Sequence, residues 1–216
     1  MGRLRQVPRD EVHDPRVAAT YAYIFGDKDP VADPGTDTGS PGDWWTTFAA
    51  SPDVFAHCLQ GFTLYRDPER RLDPVLRELG QTRAGWLRQS NFVYSQHRKS
   101  CRGLGMAEEK IDAIATWEIS ELFSPAERAV LAYTDGLVGD NGRVPDAVFA
   151  ELQAHLDDEQ IVEFTYITAW YAMHADISRA LRLEWDDVAD PIREIGGGAD
   201  ASDVIEPGPG GGRFRG

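Results

Sequence analysis

The chain has 216 residues, 42% of them hydrophobic and 27% charged, the proportions of an ordinary water-exposed domain with one sizeable core. A formal net charge of −14 and a pI near 4.7 argue against nucleic acid or an anionic membrane surface as partner, since both demand a basic face. No apolar run approaches the roughly 18 residues that cross a bilayer, and the segment from Met1 to Pro8 has basic residues without the apolar stretch of a secretory leader. A cytoplasmic protein is therefore expected.

Helix signals dominate the chain and strand signals are almost absent. Asp14 and Pro15 open a first helix that reaches Phe25 and stops at Gly26. From Asp27 to Asp43 three prolines mixed with Gly, Asp and Thr predict a long surface loop. After Trp44, Trp45 and Phe48, Ser51 and Pro52 supply an N-cap and a first helical position, predicting a helix to about Tyr65. Asp73 and Pro74 repeat the device and open the helix that carries Glu78.

Beyond Asn91, the residues Val93, Tyr94, His97, Cys101 and Leu104 keep helical spacing until Gly103 or Gly105. Met106 begins a further helix with Ile111 and Ile114 on one side. Ser124-Pro-Ala-Glu127 is a capping box with proline at the first position and predicts a helix to about Val138. A turn at Asp140-Asn-Gly142 precedes helices over Pro145 to His155 and Asp157 to Leu183. The last is apolar around much of its circumference, which points to a central position or a subunit contact. The glycine-rich stretch after about Pro191 reads as a disordered tail. The expected organisation is an N-terminal helix and loop over 1–43, a helical domain over 44–190 and a tail over 191–216. The fold class is all-α.

Several elements agree in order with one known family. The run from Leu72 to Leu79 (LDPVLREL), Arg83, Ser90, Tyr94 to His97 (YSQH), Gly103 to Ile111 (GLGMAEEKI), Ser124 to Leu131 (SPAERAVL) and the long last helix together resemble the carboxymuconolactone decarboxylase and AhpD-like superfamily over roughly 44–185. The resemblance implies an AhpD-like helical bundle that assembles as a homo-oligomer. In the thiol-peroxidase branch a CxxC precedes a histidine by four residues and follows a glutamate by twelve, which maps the cysteines onto Ser90 and Val93, the histidine onto His97 and the glutamate onto Glu78. The proton-handling pair is present and the thiol pair is not. Serine cannot cycle through sulfenic acid and disulfide, so peroxide reduction by that route is excluded. Only Cys58 and Cys101 remain, and they read as buried, separate thiols rather than a redox pair.

The decarboxylase branch works without cysteine, metal or organic cofactor, and the chain resembles that branch more closely. Losing CO2 from a lactone acid leaves charge that spreads onto a carbonyl oxygen, so the site needs a donor near that oxygen and an acid to protonate carbon. His97 is the expected general acid and base, with Glu78 orienting it. Arg83 is a candidate clamp for a substrate carboxylate, or else the partner of a local acid such as Glu78. If the helix ran unbroken through Ser90 and Asn91, Arg83, Trp86, Ser90, Tyr94, His97 and Cys101 would share one face. Ser90, Tyr94 and Gln96 are expected to line the pocket, and Trp86 and Phe92 to lie in the core. His174 either enters the pocket or is a hydrogen-bonded interior histidine. No CxxC, HExxH or paired-acid motif accompanies His97 and Cys101, so no metal is expected. The implied activity is a cofactor-free lyase or proton-transfer enzyme on a small carboxylated or lactone substrate; a peroxidase and a non-catalytic binding or assembly protein are the alternatives.

Overall fold

Proline at a first helical position needs no N–H partner, and an acid or hydroxyl just before it satisfies the amides that follow. Three helices of the computed structural model, which describes residues 2–35 and 42–183, begin this way. Asp14 accepts from the backbone of Arg16 and Val17 to start α1 (Pro15–Phe25). A short helix, α2 (Asp43–Phe48), and a longer one, α3 (Pro52–Arg66), follow. Ser51 holds the N-cap place of α3, but its side chain makes no capping bond there. Asp73 accepts from Val75 N to start α4 (Pro74–Leu87), and Ser90 accepts from Val93 N to start α5 (Asn91–Gly103).

The remaining helices are α6 (Glu108–Ala113), which runs into a 3-10 segment over Ile114–Ile119, then α7 (Pro125–Thr134), α8 (Asp146–Gln153) and α9 (Asp158–Leu181). The capping box at Ser124 and Glu127 closes reciprocally, as the sequence predicts. A second box joins Asp157 and Gln160 at the head of α9. The sequence-predicted helix to Val138 ends earlier, because a π turn over Asp135–Gly139 follows α7. Helix α2 has no counterpart in the sequence reading. Among the described residues all regular structure is helical, and no helix is long and apolar enough to cross a membrane.

Two large clusters and a small one at Ala84, Val138 and Ala172 make the core of the described residues. The largest joins α4, α5, α7 and α9 through Leu79, Val93, Leu131, Phe164 and Tyr171. The second packs α1 against α2 and α3 through Val17, Tyr21, Phe48, Phe55 and Leu59, and Phe62 and Phe92 touch both. Arg3 ties the N-terminal strip to the end of α9 by bonding the carbonyls of Ala180 and Leu181. The long helix buries one face and leaves Val162, Tyr166 and Met173 exposed on another. Residues 36–41 of the expected loop and the expected tail over 191–216 lie outside the described residues.

Candidate active site

Helix α4 stops at Leu87, Gln89 takes a positive φ of 54°, and Ser90 is extended before α5 begins. The break overturns a continuous face from Arg83 to Cys101. Instead α5 folds back along α4, and Gly85 permits the close crossing: a Cβ there would fall 2.8 Å from the Tyr94 nitrogen. The return brings His97, in the second turn of α5, against Glu78, in the second turn of α4.

Glu78 and His97 are 2% and 5% exposed, and Glu78 Oε2 lies 2.7 Å from His97 Nδ1. An ionised carboxylate only accepts, so Nδ1 carries a proton and Nε2 is the nitrogen left for chemistry. Arg77 donates to Glu78 Oε1 from Nε and a terminal nitrogen at 3.2 and 3.0 Å. With its amide nitrogen facing the carboxylate, Gln81 donates to both oxygens at 2.9 and 3.1 Å. Burial by itself pushes the Glu78 carboxyl up, but His97 and Arg77 outweigh it and hold the group below the ordinary glutamate value. The carboxylate is thus kept charged in a buried place, and it fixes the imidazole ring.

Two tyrosines complete the surroundings. The Tyr171 ring meets the His97 ring near a right angle with centres 4.1 Å apart. Its hydroxyl is 2.5 Å from that of Tyr65. Burial and the Tyr65 neighbour raise the Tyr171 phenol well above its usual range. Arg77 stands over the Tyr65 ring and also bonds the Tyr65 carbonyl at 2.9 Å. His174, one turn after Tyr171, is enclosed by Trp44, Phe62, Trp170 and Tyr171. Burial, with a smaller push from His97, lowers its imidazole to about 4. His174 is interior, and its Nε2 has no partner among the described residues.

The other expected site residues are placed differently. Arg83 neither clamps an open site nor pairs with Glu78. Its Nε and terminal nitrogen meet Asp135 at 2.6 and 3.0 Å, and it further bonds Glu118 and the carbonyls of Ile114 and Ala115. Ser90 is 2% exposed and serves as the cap of α5. The Tyr94 ring packs between Trp86 and the Arg98 guanidinium rather than on His97. Gln96 is half-buried beside His97, and its carbonyl accepts from Ser100. Trp86, expected in the core, is 44% exposed because it lies at the end of α4 and covers Tyr94 from outside. Cys58 and Cys101 are both buried and in no disulfide, and Cys101 instead meets Thr82 Oγ1 at 3.5 Å. Among the described residues no three or more His, Cys, Asp or Glu are grouped to hold a metal ion.

Arg77, Gln81, Tyr65 and Tyr171 were not signalled as site residues by the sequence. Gln81 is three residues after Glu78 and Tyr171 three before His174, spacings that put each pair on one helix face. Tyr65 has no such local signal.

Residues 52–136 match the model of the carboxymuconolactone decarboxylase family. The uncharacterized protein YnjA of Escherichia coli strain K12 is 27% identical over 145 residues, covering 67% of this chain and 78% of its own. A crystal structure of a protein of unknown function from Agrobacterium tumefaciens, described as a putative antioxidant defence protein AhpD, is 26% identical. It superposes with a TM-score of 0.57 over 65% of this chain and 96% of that one. The debrominase Bmp8 shares the fold at a TM-score of 0.66 with 16% identity, over 93% of this chain and 96% of its own.

Proposed function

We propose that the chain is a member of the carboxymuconolactone decarboxylase and AhpD-like superfamily, which the match over residues 52–136 supports, and that it is a cofactor-independent lyase or related proton-transfer enzyme acting on a small carboxylated or lactone substrate. The observation that carries the reading is the buried Glu78–His97 pair at 2.7 Å. A carboxylate held ionised by His97 and Arg77 and bonded by Gln81 orients the ring and balances the imidazolium that forms when Nε2 takes a proton.

In a decarboxylation, the bond between carbon and the departing CO2 breaks and its electron pair moves into the conjugated carbonyl as a dienolate. The Nε2 proton of the His97 imidazolium then passes to carbon, and water restores it. In an isomerisation the same nitrogen removes a proton beside the carbonyl and returns it at another carbon. Thiol peroxide chemistry lacks support, because Ser90 and Val93 stand where a cysteine pair would act. A cytoplasmic homo-oligomer belongs to the same proposal, and the exposed Val162, Tyr166 and Met173 on α9 support the self-association.

The test is CO2 release and deuterium uptake from D2O with γ-carboxymuconolactone and a panel of unsaturated lactone acids. Turnover is expected to vanish in His97→Ala and to fall at least a hundredfold in Glu78→Gln. Full activity of a folded His97→Ala protein sinks the reading.

A further inference from the structure

A buried polar feature beside His97 that the proton-transfer reading does not use is the pair of phenols contributed by α3 and α9. Tyr65 is 3% and Tyr171 7% exposed, and their hydroxyls approach to 2.5 Å. A bond between two phenols uses one proton and leaves the accepting hydroxyl with its own. Two guanidinium groups, of Arg66 and Arg77, stand 5.6 and 5.4 Å from the centre of the Tyr65 ring. Two cations beside the Tyr65 ring are the basis on which Tyr65 is assigned as the donor within the pair. Tyr171 is then the acceptor and keeps a proton that the shared bond polarises. The edge-to-face contact at 4.1 Å sets the Tyr171 ring directly against the imidazole.

We propose that Tyr171, backed by Tyr65, donates to the substrate oxygen on which charge develops while His97 handles the proton at carbon. This rests on the proton-transfer reading above and narrows the substrate class to carbonyl compounds that react through a planar enolate or dienolate. No bond to Tyr171 forms or breaks; its O–H bond is retained and the charge stays on the substrate. A donor already fixed among buried rings needs no reorientation as charge builds, which is what makes such a group effective.

Phenolate anions reproduce a planar enolate oxygen, so the experiment titrates 4-nitrophenol above its pKa, with nitrobenzene as the neutral shape control. Wild type is expected to bind the phenolate, and Tyr171→Phe to bind it at least tenfold more weakly with nitrobenzene unchanged. Tyr65→Phe, which leaves Tyr171 in place but unpolarised, should lose about threefold. In wild type, phenolates of rising basicity should bind progressively more tightly, a trend that stands even if a variant fails to fold. Absence of phenolate binding by wild type, a flat basicity trend, or an unaltered Tyr171→Phe protein overturns the proposal. If His97→Ala is inactive while Tyr171→Phe turns over normally, this inference alone falls; if His97→Ala is active, the underlying reading falls with it.

Discussion

Arg83 and Asp135 form a two-armed ion pair, Nε to Oδ1 at 2.6 Å and a terminal nitrogen to Oδ2 at 3.0 Å. Trp117 Nε1 also donates to Asp135 Oδ2, at 3.0 Å. The remaining guanidinium protons reach Glu118 and the carbonyls of Ile114 and Ala115, so one side chain joins α4, the 3-10 segment and the π turn. Truncating one member of a buried pair costs about 3–5 kcal/mol, and because Asp135 keeps some solvent the lower end applies. Arg83→Ala is expected to lose about 3 kcal/mol in urea unfolding. Arg83→Lys should recover under half of that, because a point charge cannot satisfy a planar fork. An unchanged midpoint in Arg83→Ala would mean that the clasp contributes nothing.

Helix starts were legible in this sequence because their causes are local: Asp14 with Pro15, Asp73 with Pro74 and Ser124 with Glu127 each lie within a turn of the amides they satisfy. Glu78 and His97 were legible as a pair by family spacing, and the structure joins them. The partner of Arg83 was not, since Asp135 lies 52 positions away and nothing near Arg83 encodes it. The return at Gln89 was missed for a different reason. Helical periodicity persists on both sides of it, and the reversal needs only Gln89 at a positive φ and Ser90 extended. Tyr65 and Tyr171, 106 positions apart, meet because α3 and α9 pack together, a fact of tertiary structure with no trace in local pattern.

Stability should fall in mild acid through His174. Burial lowers its imidazole to about 4 in the folded protein, against about 6.5 for an ordinary histidine. The unfolded chain therefore binds the proton first, and stability is intact above about pH 6.5, declines as pH falls and levels near pH 4. The full loss is on the order of 3 kcal/mol. His174→Phe should flatten urea midpoints between pH 6.5 and 4. Glu78 acts lower: its depressed carboxyl contributes fully above the ordinary glutamate value and is lost as pH drops through the folded one. A variant that retains the full slope between pH 6.5 and 4 would assign it to another group.

The thiols should be silent in the folded protein. Cys101 is fully buried and Cys58 is 5% exposed. Burial pushes the Cys58 thiol up to about 11, so it carries little thiolate at neutral pH. Reaction with a disulfide reagent is expected to be slow in native protein and to release two equivalents on unfolding. Thiol-dependent hydroperoxide consumption should be absent. A fast stoichiometric phase in the native state would contradict this and reopen a cysteine mechanism.

Gly61 decides how closely α3 approaches α9. A Cβ there would fall 1.2 Å from the Trp170 ring, a contact that no small adjustment relieves. Alanine in mid-helix is favoured over glycine by about 1 kcal/mol, whereas overpacking a core costs about 1–3 kcal/mol or more. The clash should win, with Gly61→Ala losing about 2 kcal/mol and altering the near-ultraviolet circular dichroism of the tryptophans. Trp170 packs against Phe62, Tyr65, Tyr171 and His174, so its displacement pushes on both phenols. If those phenols hold the substrate oxygen, phenolate binding by Gly61→Ala should weaken even at temperatures where the variant remains folded. Unaltered dichroism and stability together would show that Trp170 has room to move, and that α3 and α9 are less tightly engaged than the glycine implies.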